Sequence, residues 1–206
     1  MPNQFSIHQV LDSLRAKRKL FSSEADFQFS LAWTIKELYP QVEVRLEYVP
    51  ADYNPNIYID IVVFDGDTMI PIELKYKTKK TDKLVDGERF MLKNQLAQDL
   101  GRYDFLKDIQ RIEFMKQHFP NFQEGYAILL TNDPSYLAKP RANSSYAAFR
   151  IAEGDTKGGS LRWAEGSKSS KGRPGIDLLG EYPIKWSEYS QIDDSEKVSQ
   201  LVIEIR

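Results

Sequence analysis

Residues 57–77 read IYIDIVVFDGDTMIPIELKYK, and three charged residues in that stretch stand where the pattern asks for apolar ones. Ile57–Phe64 is nearly all apolar apart from Asp60, and Thr68–Tyr76 repeats the anomaly with Glu73 and Lys75. The tight turn Asp65-Gly66-Asp67 between the two runs marks them as the arms of a β-hairpin. A carboxylate set mid-strand among large hydrophobes costs on the order of several kcal/mol unless it is paired or bound to a metal.

Strand parity makes the anomalies coincide. Side chains two apart share a face, so Glu73 and Lys75 point the same way. A two-residue turn at Gly66-Asp67 sets Asp60 opposite Glu73, and one at Asp65-Gly66 sets it opposite Pro71. Either register puts Asp60, Glu73 and Lys75 on one face, whereas a three-residue loop without a bulge breaks the parity. Two carboxylates about 5 Å apart repel, and a divalent cation between them removes that penalty. Oxygen-only ligands point to Mg²⁺ or Mn²⁺. Lys75, beside that ion, can orient water or neutralise charge building on a phosphate. Neighbouring carboxylates favour its charged form, which argues against a role as general base.

On the N-terminal side, Ile7–Arg15 reads as a short helix, followed by the basic connector Ala16–Lys19. Ser22 or Ser23 offers an N-cap for a second helix, with Glu24 and Asp26 in its first turn and Phe27, Leu31, Ile35 and Leu38 as its apolar stripe. Pro40 stops it. Val42–Val49 alternates as a strand, and a loop over Pro50–Asn56 leads to the hairpin. On the C-terminal side, Lys77–Glu88 is polar and charged and reads as a mobile, open connection. Arg89–His118 carries the longest helical pattern, through Leu92, Leu96, Leu100, Tyr103 and Leu106. Gly125–Thr131 is a fully apolar strand ended by Asn132-Asp133-Pro134. A long helix joining two strands predicts an α/β fold with a right-handed crossover and a mixed sheet. Beyond it, short strands are expected near Ala147–Ile151 and Leu161–Ala164, and closing strands over Ile176–Trp186 and Leu201–Arg206.

The run Asp60-x(12)-Glu73-Leu-Lys75 resembles the D…(D/E)-x-K signature of the PD-(D/E)XK, or restriction-endonuclease-like, nuclease superfamily, and the element order resembles that family's αβββαβ core. Ile59, not proline, precedes Asp60. The resemblance covers Ser22 to Asp133 and implies a single domain over 1–206, with a nuclease-like core at about 22–133 and a C-terminal elaboration over 134–206 that adds strands. It implies Asp60, Glu73 and Lys75 as catalytic residues and Glu24, Asp60 and Glu73 as ligands of Mg²⁺ or Mn²⁺. It also implies contacts to nucleic acid from polar residues on the long helix, where Gln95, Gln98 and Arg102 share a face by spacing. Lys77 and Lys79 follow the active strand directly and are candidates for phosphate contacts.

Composition sets the outer bounds. The chain has 206 residues, 41% hydrophobic and 28% charged, with a formal net charge of −2 and no cysteine. That excludes disulfides, thiolate nucleophiles and Cys-ligated zinc. Basic residues are unevenly spread. Pro71–Lys83 holds five lysines against one Glu and one Asp, and Lys139–Arg173 holds eight Lys/Arg against three Asp/Glu. Such segments suit an anionic ligand held in one place. No stretch reaches the roughly 20 apolar residues of a membrane span, and the expectation is a soluble cytoplasmic protein.

The leading expectation is therefore a divalent-metal-dependent nuclease that hydrolyses phosphodiester bonds, with DNA as its polymer. A homodimer is expected if both strands are to be cut. The alternatives are a catalytically silent nucleic-acid-binding or partner-binding protein of the same fold, and a metal-dependent phosphoesterase acting on small nucleotides.

Overall fold

The computed structural model describes residues 4–50, 58–139 and 143–206. The loop expected over Pro50–Asn56 lies outside these residues from Ala51 on, as do Ile57 and Arg141.

Two helices come first. α1 (Ile7–Lys17) takes in the start of the expected connector, and α2 (Glu24–Leu38) begins at the N-cap Ser23, whose side chain accepts from the Asp26 amide. Phe27, Leu31 and Ile35 are buried as their spacing requires, while Leu38 at the helix end is exposed. β1 (Glu43–Tyr48), β2 (Ile59–Asp65) and β3 (Thr68–Lys77) follow. Asp65 pairs with Thr68, so Gly66-Asp67 is the turn, and Gly66 takes the left-handed φ of 61° that glycine tolerates without strain.

The expected open connection after β3 is instead a second hairpin, β4 (Thr81–Val85) and β5 (Glu88–Leu92). Its turn is Asp86-Gly87, both residues with positive φ (50° and 86°), which is the geometry of the tight turns that match strand twist. Val85, Phe90 and Leu92 enter the core under α1 and α2. The long helix is correspondingly shorter than its apolar pattern suggests. α3 spans Gln98–His118, Leu92 belongs to β5, and Leu96 is exposed in the connection.

β6 (Gly125–Thr131) has the expected bounds. Ala147–Phe149 is a 3-10 turn rather than a strand. β7 (Thr156–Leu161) and β8 (Ile176–Pro183) form a separate hairpin, and β9 (Trp186–Asp193) and β10 (Glu196–Ile205) close the chain.

The central sheet has six strands in the order β1-β2-β3-β6-β10-β9. β3 and β6, joined through α3, pair in parallel, and every other neighbour is antiparallel, so the sheet is mixed. β10 pairs along the length of β6, which continues the same sheet into the C-terminal part of the chain.

Alternation divides the core in two. Ile61, Val63, Ile70, Ile72, Leu74 and Ile128 meet α1 and α2 on one face. Ala127, Leu129, Leu201 and Ile203 meet α3 on the other, and the β7–β8 hairpin covers the outside of α3 through Ile176, Leu178 and Tyr182. The Glu113 carboxylate ties that hairpin down by accepting from the Leu179 and Gly180 amides and the Tyr182 hydroxyl. Among the described residues no helix is long and apolar enough to cross a membrane.

Candidate active site

The β2–β3 ladder runs from the Asp65–Thr68 pair to the Ile61–Ile72 pair and stops. One step further along the same register, Asp60 stands opposite Glu73. From there the strands diverge, with β2 staying on β1 and β3 on β6. The split leaves β3 amides facing a gap, and carboxylates fill it. Asp60 Oδ2 accepts from the Leu74 amide at 2.6 Å, and Glu24 Oε2, from the first turn of α2, accepts from the Tyr76 amide at 2.7 Å. Alternate amides of a strand point the same way, so one acid from β2 and one from α2 together replace the missing ladder bonds. Gln28, one turn further along α2, fixes the other wall. Its Nε2 donates to the Asp60 carbonyl at 2.7 Å and to Glu47 Oε1 at 2.8 Å.

Glu73 and Lys75 sit at the odd positions of β3, on the α3 face, whereas Ile72, Leu74 and Tyr76 pack toward α1 and α2. Two residues of α3 meet them. Lys75 Nζ lies 2.6 Å from Asp108 Oδ2, and Arg111 Nε lies 3.1 Å from Glu73 Oε1. Asp108 and Arg111, one turn apart, also pair with each other. The side chains of Glu73 and Asp108 are almost wholly buried, at 1% and 2% exposure, while Arg111 and Lys75 keep 21% and 13%. The two acids therefore lie inside and the two cations reach toward solvent.

The charges do not balance. Asp60, Glu73, Asp108 and Glu24 outnumber Lys75 and Arg111. Burial pushes the Glu73 carboxyl well above the usual range; Asp108 and Asp60 push the same way, against Arg111 and Lys75. Burial likewise raises Asp60, opposed by Lys75 and the Leu74 amide. Burial disfavours the Lys75 ammonium, but Asp108 and Asp60 outweigh it, so Lys75 titrates above an ordinary lysine and is a firm cation. Glu73 Oε1, Arg111 Nε and Asp108 Oδ2 are in ionic contact yet lack an aligned hydrogen bond. A site with surplus negative charge and an under-bonded buried carboxylate oxygen favours one more positive charge.

The donor set fits a hard divalent cation. It offers carboxylate oxygens and no sulfur or imidazole, and ions such as Mg²⁺ combine one or two carboxylates with several waters. Among the described residues no three His, Cys, Asp or Glu side chains form a ready cage, so Asp60 and Glu73 would act as a pair with solvent completing the shell.

The structure brings Asp60, Glu73, Lys75 and Glu24 to one place and scatters the remaining candidates. Lys77 is half-buried at the end of β3, on the Glu73–Lys75 face by parity. Lys79 is exposed just beyond, its backbone held by Asn132. Gln95 is not on the helix; it precedes α3, its amide bonded to the Thr78 carbonyl. Gln98 opens α3 and donates to Asp133. Arg102 does not lie on an exposed helix face but is buried, donating to the Ser135 carbonyl and lying against the rings of Tyr136 and Tyr146.

Asp108, Arg111 and Gln28 were not among the candidates. A signal for the first two was present. They are charged residues three apart between Leu106, Ile109 and Ile112, and they fall on the buried side once α3 is phased from Gln98. No family model, curated protein or solved structure matches this chain, so any case for an activity rests on the geometry of this site.

Proposed function

We propose that this protein is a divalent-metal-dependent nuclease with a restriction-endonuclease-like core, hydrolysing phosphodiester bonds in DNA. The observation that carries the proposal is the meeting of Asp60 and Glu73 at the β2–β3 split, both raised toward the neutral form, with the Lys75 ammonium alongside. Asp60 and Glu73 would hold the ion, with Glu24 next to them. An ion so held supplies charge neutralisation at a phosphoryl oxygen and a lowered pKa for an attacking water.

The chain's own groups have distinct tasks. Lys75 stays protonated and donates to a phosphate oxygen, so it stabilises developing charge and does not accept a proton. Asp108 aims the Lys75 ammonium, Gln28 locks the backbone at Asp60, and Glu24 caps β3 where the ladder ends. Rigid support of this kind holds reacting groups within tight tolerance.

The test is cleavage of linear DNA by the purified protein in Mg²⁺ or Mn²⁺, beside Asp60→Asn and Glu73→Gln and with RNA as the competing polymer. Cutting by the parent, lost with chelator and in both variants, is the expected result. Undiminished cutting by either variant removes that residue from the chemistry. A specific observation favours a second reading, a silent nucleic-acid-binding protein: Arg111 and Lys75 already occupy Glu73 and Asp108. Metal-independent DNA binding without cleavage under any divalent ion supports that alternative.

A further inference from the structure

A cavity of about 490 Å³ opens where α3 begins, lined by Lys79, Lys139, Gln98, Arg102, Ser135 and Tyr146 among others. Four observations give it a chemical character. First, α3 starts without a side-chain cap. Ala97 stands at the N-cap with a φ of 66°, so no side chain caps the positive end of a 21-residue helix. Second, Arg102 is 3% exposed and donates through Nη2 to the Ser135 carbonyl, yet its Nε is buried with no hydrogen-bond partner. Third, the Ser135 hydroxyl in the same wall is buried against the Asp133 carboxylate. Fourth, Lys79 and Lys139 are exposed at the rim.

One acid, Asp133, shares the lining, but both its oxygens are engaged, by the Ser135 amide and by Gln98 Nε2. The first-turn acid of α3, Asp99, is turned on Ser169 outside the cavity. Three cations against one occupied carboxylate leave the cavity positive.

We propose that this cavity binds a phosphate group, with Arg102 Nε–H as the buried donor and Lys79 and Lys139 as outer charges. A tetrahedral oxyanion suits the combination, because it accepts several donors at once and meets a helix N-terminus favourably. The assignment of that phosphate to a nucleic acid rests on the nuclease reading; the anion site itself does not. The path between the two sites is short and basic. Lys75, Lys77 and Lys79 follow one another along and just past β3, spanning about 13 Å of extended chain, or about four base-pair rises. The cavity would thus hold a phosphate a few nucleotides from the bond being cut. Two sources carry the same chemistry, an internal backbone phosphate and a terminal one.

The experiment uses the full chain and needs neither metal nor turnover. Inorganic phosphate is titrated while the Arg102 Nε–H signal is followed by NMR, with chloride as the control. A saturable shift with phosphate and none with chloride is expected. Lys79→Gln combined with Lys139→Gln, both exposed and safe for folding, weakens phosphate binding about tenfold. In Asp60→Asn protein, used to prevent cutting, the same pair of changes lowers the salt-dependence slope of DNA binding by about 2. Oligonucleotides with and without a 5′-phosphate separate the sources: tighter binding of the phosphorylated form assigns a terminal phosphate, and equal binding a backbone phosphate. An Arg102 signal unmoved by phosphate, or a lysine double variant that binds phosphate like the parent, overturns the proposal. Phosphate binding without DNA cleavage leaves this site standing and defeats the nuclease reading, and the reverse pattern does the opposite.

Discussion

Replacing Glu73 with glutamine should make the metal-free protein more stable while abolishing the proposed cleavage. Glu73 is nearly wholly buried, and the repulsion from Asp108 exceeds the attraction of Arg111, just as that from Asp60 exceeds the attraction of Lys75. Unit charges about 5 Å apart at an effective dielectric of about 20 interact by about 3 kcal/mol, so the surplus of repulsion is substantial even after partial cancellation. Glutamine keeps the shape and can still bond Arg111 through its carbonyl. Relief of a repulsion of that order, after partial cancellation, contributes ~2 kcal/mol, and a protein of this size then gains about 4–8 °C in melting temperature.

The sign depends on pH. A carboxyl whose folded pKa is raised contributes its full stability below its ordinary value and loses that contribution as pH climbs through the elevated folded value. The parent should therefore lose stability between pH 5 and pH 8 more steeply than the glutamine variant. Melting curves for both proteins, in chelator and in Mg²⁺, make the measurement. At pH 8 in chelator the variant should melt higher, the gap should narrow at pH 5, and Mg²⁺ should raise the parent alone. A variant that melts several degrees below the parent at pH 8 in chelator would show that the Arg111 contact outweighs the repulsion, and the case for a charge-strained site would fail.

Asp108→Asn should act in the opposite direction. It breaks the partnership of Lys75 and weakens that of Arg111, costing about 3 kcal/mol and about 6–12 °C in chelator at pH 8, and an unchanged melting temperature would mean that Asp60 alone suffices to hold Lys75. Gly101→Ala tests the seat of the phosphate cavity. An added Cβ would stand 2.1 Å from the Tyr136 hydroxyl, the far end of a buried side chain, so the ring must shift within its packing, at about 2 kcal/mol and a drop of about 4–8 °C. A melting temperature within a degree or so of the parent would show that Tyr136 moves freely and does not fix Ser135 and Arg102.

The heart of the site was legible because a strand announces its burial. Two apolar runs flanking a turn make Asp60, Glu73 and Lys75 stand out from their surroundings, and a period of two makes their shared face a matter of counting. What was misread lies where two elements supply one apparent pattern. Leu92 of β5, exposed Leu96, and Leu100, Tyr103 and Leu106 of α3 fall at helical spacings by coincidence, which lengthened the helix and hid the β4–β5 hairpin. The Asp86-Gly87 turn was the overlooked clue. β9 escaped because its sequence, WSEYSQID, is mostly polar, as suits the outer strand of the sheet. The Asp108–Arg111 pair was obscured for the same reason as the helix start. Wrong phasing of α3 turns its buried charges outward on paper.

That pair bears on how one site can be both folded and ready for a cation. A buried arginine left without a partner is strongly destabilising, so if Glu73 were Arg111's only support, an ion taking Glu73 would undo the fold around it. Arg111 instead rests on two acids, Glu73 and Asp108, and its side chain keeps a fifth of its surface in solvent. Asp108 in turn holds Lys75 as well. A cation at Asp60 and Glu73 would therefore leave Arg111 and Lys75 sharing Asp108, a carboxylate with two oxygens for two partners. The helix contributes Arg111, which meets Glu73 there, together with Asp108, the acid that would keep Arg111 and Lys75 paired if a metal ion took Glu73. A metal ion would compete with Arg111 for one carboxylate, and its affinity should rise with pH as the Glu73 proton becomes easier to remove.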